Sequence, residues 1–325
     1  MKKFILCLII GLCFVSCNTE KKESTEDMKD VEISGNEFMI LENFDGKDIE
    51  MYYDKPVEKA ISMSQATTEM LLALGLSDKM VGTAFLEEPI YDSVKDEYEK
   101  VKVISDKWPS YETFMAESPD FATGWPVAFS KRGIEAEKIY NNKINIFIPE
   151  SMKTTDATLD TFFNDMLMFG DIFGVKEKAE KFVNDQKEKL EKVKDELKDE
   201  KEKTVFIFDV SDDKPFTVFE GYTTNILKLI NAKNVMSGQG IDKTWEATSY
   251  EAIVKADPDY IIIVEYEGNR NDSDFDAKVK LLKENDACKN LKAVKEDKIL
   301  KVKLSEITPG IRTVDALVRI AEQMR

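Results

Sequence analysis

The chain uses one short pattern twice. Ser110-Tyr111-Glu112 is followed, after six intervening residues, by Pro119-Asp120, and Ser249-Tyr250-Glu251 is followed at the same spacing by Pro258-Asp259. Each copy runs on into an apolar stretch, residues 121–125 in the first and 260–264 in the second. Serine is a strong helix N-cap, and a glutamate two places on lies where the positive end of the helix dipole favours an anion. The proline ends a helix of about two turns, and the run behind it has the composition of a strand. Repetition of pattern and context together points to one structural unit used twice. Two related α/β lobes are expected, presenting Glu112 and Glu251 at equivalent places.

The first residues set the compartment. Met1-Lys2-Lys3 precedes an apolar run over residues 4–15 and then Ser16-Cys17, the order of a secretory signal. The run is too short to span a bilayer, which takes about 20 residues. Phe14-Val15-Ser16-Cys17 resembles a bacterial lipobox, in which cleavage precedes the cysteine and a diacylglyceryl group is attached to its sulfur. Residues 1–16 are therefore expected to be a lipoprotein signal peptide, with Cys17 as the lipidated residue. The body would then be lipid-anchored at the cell membrane and face outward, into a periplasm or the extracellular space. Of the four cysteines, Cys7 and Cys13 leave with the signal and Cys17 is acylated. Cys288 alone remains, and one thiol closes no internal disulfide, so the core must hold the fold.

Charge and composition remove several function classes. The net charge is −17, and loss of Lys2 and Lys3 with the signal leaves −19. That field repels phosphate backbones, so nucleic acid is not an expected partner. The chain contains no histidine, which eliminates Ser-His-Asp and Cys-His nucleophile sites, HExxH zinc sites and His-ligated haem. No glycine-rich phosphate loop or GxSxG is present. A carboxylate-driven enzyme tethered at the surface stays open as a reading of another class, as does an adhesion lipoprotein. No catalytic residue and no bound metal of the protein's own are expected.

Residues 17–35 mix Lys, Glu, Asp, Ser and Thr without periodicity and read as a solvated tether. A hairpin around residues 38–53, turning at Asp45-Gly46, opens an N-terminal α/β lobe over residues 36–175. Within it, strands are expected at 60–64, 80–84, 101–104, 121–125 and 144–148. A helix over 67–74 stops at Gly75. Strands alternating with helices argue for a largely parallel sheet. Over 176–201, Ala179, Phe182, Val183, Gln186, Leu190, Val193 and Leu197 recur at steps of three and four, one face of a single long helix. This helix is read as the connector to a C-terminal α/β lobe over 202–325, with strands at 204–210, 260–264 and 299–304. Helices are expected at 225–230 and from Thr313 to the end.

At this point the residues carry a family resemblance. The run from Thr68 to Gly75 followed by Lys79-Met80-Val81-Gly82, the two Ser-x-Glu…Pro-Asp units and Trp245 six residues before Glu251 all contribute. So do Asn290-Leu291-Lys292-Ala293-Val294-Lys295 and Pro309-Gly310-Ile311-Arg312. Together, from about residue 58 to the end, they resemble the solute-binding proteins of ABC importers for ferric siderophores, haem and vitamin B12. The resemblance implies two Rossmann-like lobes bridged by one long helix, with ligand held in the cleft between them. It also implies that Glu112 and Glu251 lie on the lobe tips and dock onto arginines of an ABC permease dimer; a monomer is expected. The chain departs from the family pattern where Gly310-Ile311 stands in place of Gly-Pro before the arginine. The expected cargo is a ferric siderophore, with a corrinoid or haem as alternatives.

Candidate ligand contacts follow from position and chemistry. Trp125 ends a strand, and ligands of open α/β sheets gather beyond the carboxyl ends of strands. Trp245 precedes the second glutamate helix, and with Trp108 these flat indoles suit a bulky, partly apolar chelate. Arg312, just before the last helix, and Arg132, after the Trp125 strand, offer guanidinium groups to an anionic ligand. Gln65, at the first strand-to-helix turn, Phe216 and Tyr222 complete the expected cleft residues.

Overall fold

A computed structural model of the chain describes residues 37–211, 214–266 and 274–325. The expected signal segment and tether, with Cys17, lie outside the described residues. The first element is the expected hairpin, β1 (Phe38–Phe44) and β2 (Lys47–Tyr53), paired antiparallel with Phe38 opposite Tyr53. Asp45 and Gly46 both take positive φ, 51° and 81°, as a two-residue turn matched to strand twist requires. Glu42 points from β1 into the body and is fully buried, held by Lys153 at 3.2 Å and by the Ile148 N–H at 3.0 Å.

Two sheets follow, one on each side of a long helix in the sequence. The first contains β3 (Ala60–Ser62), β4 (Met80–Ala84), β5 (Val103–Ser105), β6 (Phe121–Thr123) and β7 (Asn145–Phe147), all parallel, in the order β5-β4-β3-β6-β7. The second contains β8 (Lys203–Ser211), β9 (Lys214–Val218), β10 (Ala232–Asn234), β11 (Trp245–Ala247), β12 (Tyr260–Glu265) and β13 (Ile299–Lys303). Its order is β11-β9-β8-β12-β13, with β10 alongside the start of β8. Here β8, β10, β12 and β13 are parallel, whereas β9 runs antiparallel to β8 and β11 antiparallel to β9. The reversal at β9 has a simple cause: only two residues separate it from β8, too few for the crossover a parallel neighbour needs. Every residue of β12 is buried, which explains its unbroken apolar run.

The helix Lys176–Leu197 buries Ala179, Val183, Gln186, Leu190, Val193 and Leu197. Its 22 residues make a rod of about 33 Å at 1.5 Å per residue. It lies against the helices Leu159–Ile172 and Thr313–Gln323. Gly170 allows the close approach to the first of these, since a Cβ there would stand 2.6 Å from that of Ala179. No helix among the described residues is long and apolar enough to cross a membrane.

The duplicated units fold alike. Ser110 caps the helix Tyr111–Ala116 by accepting from Thr113 N–H at 3.1 Å, and Ser249 caps Tyr250–Ala256 by accepting from Ala252 N–H at 3.1 Å. The aspartates do matching work. Asp120 accepts from the Lys59 N–H at 2.9 Å, just ahead of β3, and Asp259 from the Thr204 N–H at 2.9 Å, at the start of β8. Each copy thus anchors the first strand of its own sheet.

One buried acid gives the body a testable pH dependence. Burial pushes the Asp165 carboxyl from 3.8 up to about 6, against the hydrogen bonds it accepts from the N–H groups of Glu150 (2.7 Å) and Ser151 (2.9 Å). Across that interval the folded chain holds a proton that the unfolded chain has released. Stability contributed by this proton is therefore lost as pH rises through the window, on the order of 3 kcal/mol in all. Asp165→Asn is expected to flatten the fall in calorimetric midpoint between about pH 4 and about pH 7. An equal fall in the variant would assign the effect to another group.

Candidate functional site

The cleft residues are mounted mostly on the carboxyl ends of strands, where an open α/β sheet offers free loops. They enclose a cavity of about 320 Å³. From the first sheet come Gln65 and Glu69 after β3, Phe85, Glu87 and Glu88 after β4, Trp108 after β5 and Trp125 after β6. From the second come Glu265 and Tyr266 at the end of β12, Leu304, Ser305 and Thr308 to Gly310 after β13, and Trp245 at the start of the edge strand β11.

The rings are held firmly. Trp108 donates its indole N–H to the Met63 carbonyl at 3.1 Å, and Phe85 stacks on it with centroids 4.4 Å apart and planes 9° apart. Phe85 has φ of 59°, a costly conformation for a bulky residue that persists only where surrounding contacts impose it. Trp125 stands before Pro126 in extended backbone (φ −64°, ψ 151°), the conformation a following proline favours. Trp245 is backed by Phe216, centroids 5.7 Å apart at 15°. Tyr266 donates to Asp209 at 2.8 Å, and Lys278, bonded to Asp209 at 2.8 Å and Asp274 at 2.6 Å, lies over its ring. Burial and then Asp209 raise the Tyr266 phenol well above its ordinary range, so it acts as a neutral donor.

Among the described residues, the cavity lining contains four carboxylates and no lysine or arginine. Glu69 is buried and grips Arg312, whose Nε donates at 2.9 Å and whose second amino group closes a bidentate pair. Glu88 also meets Arg312, at 3.4 Å, and Glu265 meets Lys301 at 3.3 Å. Glu87 has no ion-pair partner among the described residues, and loss of solvent followed by the neighbouring Glu88 raises its carboxyl above the usual value.

The structure brings together Trp108, Trp125, Trp245 and Gln65 of the expected residues and separates the others. Gln65 faces the cavity with its amide already engaged: the carbonyl accepts from Glu87 N–H (2.9 Å) and Glu88 N–H (3.0 Å). Phe216 stands behind Trp245, outside the lining. Arg312 is corrected from ligand grip to buried ion-pair partner, only 3% exposed. Four of its five N–H donors are taken by Glu69, Glu88 and the Pro89 carbonyl. Arg132 is exposed and outside the lining. Tyr222 is a core residue, 5% exposed, with its hydroxyl 3.1 Å from that of Thr313. Phe85, Glu87, Glu88, Tyr266, Glu69 and Glu265 are not among the residues expected from the sequence. Phe85 and Tyr266 follow directly on β4 and β12, and Glu87 and Glu88 lie within four residues of the end of β4, a signal present in the apolar runs 80–84 and 260–264.

Glu112 and Glu251 are both exposed, in the first turns of the matched helices. Their own backbone N–H groups, and next the capping serines, hold both carboxyls below the usual range. They follow the cavity residues Trp108 and Trp245 by four and six positions in the chain.

Comparison with known proteins agrees with this architecture. A crystal structure of a periplasmic binding protein from Veillonella parvula superposes with a TM-score of 0.86 at 55% identity, covering 89% of this chain and 98% of that one. An uncharacterized ABC transporter substrate-binding lipoprotein of Bacillus subtilis is 25% identical over 277 residues, 83% of this chain and 81% of the relative. A vitamin B12-binding protein of Vibrio parahaemolyticus is 22% identical over 209 residues, 64% of this chain and 71% of the relative. The sequence pattern described as periplasmic binding protein matches residues 61–303, from β3 to the last residue of β13, and the chain belongs to that family.

Proposed function

We propose that this chain is the lipid-anchored solute-binding component of an ABC importer and that its cargo is a metal chelate without net negative charge, best matched by a corrinoid. The observation that carries the cargo is the wall itself: indoles from both lobes, four carboxylates, and no lysine or arginine in the lining among the described residues. Three of the carboxylates are already paired with Arg312 or Lys301, so among the described residues the wall has no free cation to offer a ferric tricatecholate, whose net charge is strongly negative. It suits a ligand with a broad apolar face and a rim of hydrogen-bond donors, which the amide side chains of a corrinoid supply. The B12-binding relative supports the same reading. The ferric siderophore expected from the sequence is thereby narrowed to neutral or cationic hydroxamates. The cavity volume of about 320 Å³, at the small end of ligand pockets, favours such a compact chelate as the second reading.

The anchor rests on Phe14-Val15-Ser16-Cys17 and on the lipoprotein relative. Delivery rests on Glu112 and Glu251 as contacts to basic residues of a permease, and the ligand is returned unchanged, without catalysis. Isothermal titration calorimetry with cyanocobalamin, a ferric trihydroxamate, a ferric tricatecholate and hemin tests the reading. Saturable binding of cyanocobalamin, with none of the tricatecholate, is the expected result. Tightest binding of the tricatecholate would overturn the charge argument. Saturable binding of none of the four would overturn the reading as a chelate carrier.

A further inference from the structure

The loop from Phe85 to Tyr91 forms a wall of the cavity through Phe85, Glu87 and Glu88. It belongs by sequence to the first sheet, and Gln65 holds it there through the N–H groups of Glu87 and Glu88. Within the same lobe, Phe85 also stacks on Trp108 and Gln65 donates to the Pro89 carbonyl at 3.3 Å; a second set of ties runs to the chain beyond β13. Arg312 donates to the Pro89 carbonyl at 2.8 Å, pairs with Glu88 at 3.4 Å and lies over the Tyr91 ring at 5.3 Å. Ser305 N–H donates to Glu88 at 3.2 Å, and Tyr91 O–H donates to Asp315 at 2.7 Å. Asp315 in turn meets Lys189 of the long helix at 2.7 Å. Glu69 joins the two halves: it accepts the Tyr91 N–H at 3.1 Å and receives the bidentate Arg312 fork.

We propose that Arg312 is a positioning residue, the centre of an inter-lobe latch that holds the Phe85–Tyr91 wall in place without touching ligand. A guanidinium bonded two-pronged to a buried carboxylate has one favourable geometry, and separating such a pair gives up its paired charge-assisted hydrogen bonds. Parting the lobes therefore requires breaking the latch. Breaking it frees the wall that carries Phe85, Glu87 and Glu88, so cleft opening and dismantling of the ligand surface become one event. The binding protein keeps its cavity formed until a partner supplies the work of separation.

Hydrogen–deuterium exchange of the ligand-free protein tests this, and because no ligand is present its outcome is independent of the proposed cargo. In Arg312→Gln, the amides of Glu87, Glu88 and Tyr91 should exchange roughly tenfold faster or more, with a matching rise over residues 304–315, while β12 amides stay as slow as in the parent. Arg312→Lys keeps the charge and loses the fork, so it should lie between the two. Tyr91→Phe, which removes only the Asp315 bond, should raise exchange a few-fold at the same loop. Unchanged exchange at residues 87–91 in a folded Arg312→Gln protein would show that the ties within the first lobe hold the wall and overturn the latch. Uniform acceleration that includes β12 would equally overturn it, because Arg312 would then be supporting overall stability only. Should Arg312→Gln fail to fold, the Lys and Tyr91→Phe variants decide by the same local pattern.

Discussion

Trp245→Ala is expected to weaken ligand binding roughly tenfold or more while lowering the thermal midpoint only a few degrees. The indole is half-buried: one face stacks on Phe216 and the ring borders the cavity. It starts a three-residue edge strand and is not among the fully buried side chains of the core. Truncation therefore removes area that a ligand would cover more than area the fold needs. Trp125→Ala should act in the same direction. Trp108→Ala should behave differently, because its indole N–H holds the Met63 carbonyl and its ring supports the strained Phe85. Both affinity and stability should fall there. Calorimetric titration with cyanocobalamin, and with a ferric trihydroxamate in parallel, measures the first quantity, and scanning calorimetry the second. A Trp245→Ala protein that unfolds severely yet binds as tightly as the parent would assign the ring to the core.

Local signals were legible and long-range ones were not. Ser110 and Ser249 cap their helices as read, since capping depends on residues three positions apart. The Asp45-Gly46 turn, the helix after Ser64 and the stripe on Lys176–Leu197 are equally local. The connector stops at Leu197 and not at 201, where the apolar stripe ends. Arg312 was misread because its partner Glu69 lies 243 positions away. An arginine at a helix start looks the same in sequence whether it awaits an anion or already holds one. The antiparallel turn from β8 to β9 and the strand beginning at Trp245 were missed for a related reason: their pairing is set by neighbours in the sheet, and β11 has only three residues to show a period. The helix Leu159–Ile172 is legible in principle, since its buried Phe162, Phe163, Met166 and Phe169 fall at helical spacing.

The duplicated glutamates yield the largest expected effect. Glu112→Lys combined with Glu251→Lys should reduce uptake to near background while ligand affinity in solution stays at the parent value. Neither carboxylate lines the cavity, and both are exposed and held below the usual range, hence ionised at neutral pH. Their surroundings explain why a glutamate is tolerated in each first turn, through the backbone N–H groups and the capping serine. That explanation covers a single occurrence. It does not account for the same framed residue beginning the matched helix before β6 and again before β12, each a few positions after a cavity tryptophan in the chain. Simultaneous contact with a partner built from two equivalent subunits does account for it, because such a partner presents the same basic surface twice. Each alanine variant should then lose part of the uptake and the double alanine more. Lysine should be worse than alanine, since it adds repulsion to the loss of attraction. Exposed charges at an interface act mainly through association rate and are screened by salt, so the single-variant defects should shrink as ionic strength rises. Uptake of the labelled chelate by whole cells carrying each variant measures this, with circular dichroism as the check on folding. Parental uptake by the folded double-lysine protein would leave the helix dipole as the whole reason for both residues.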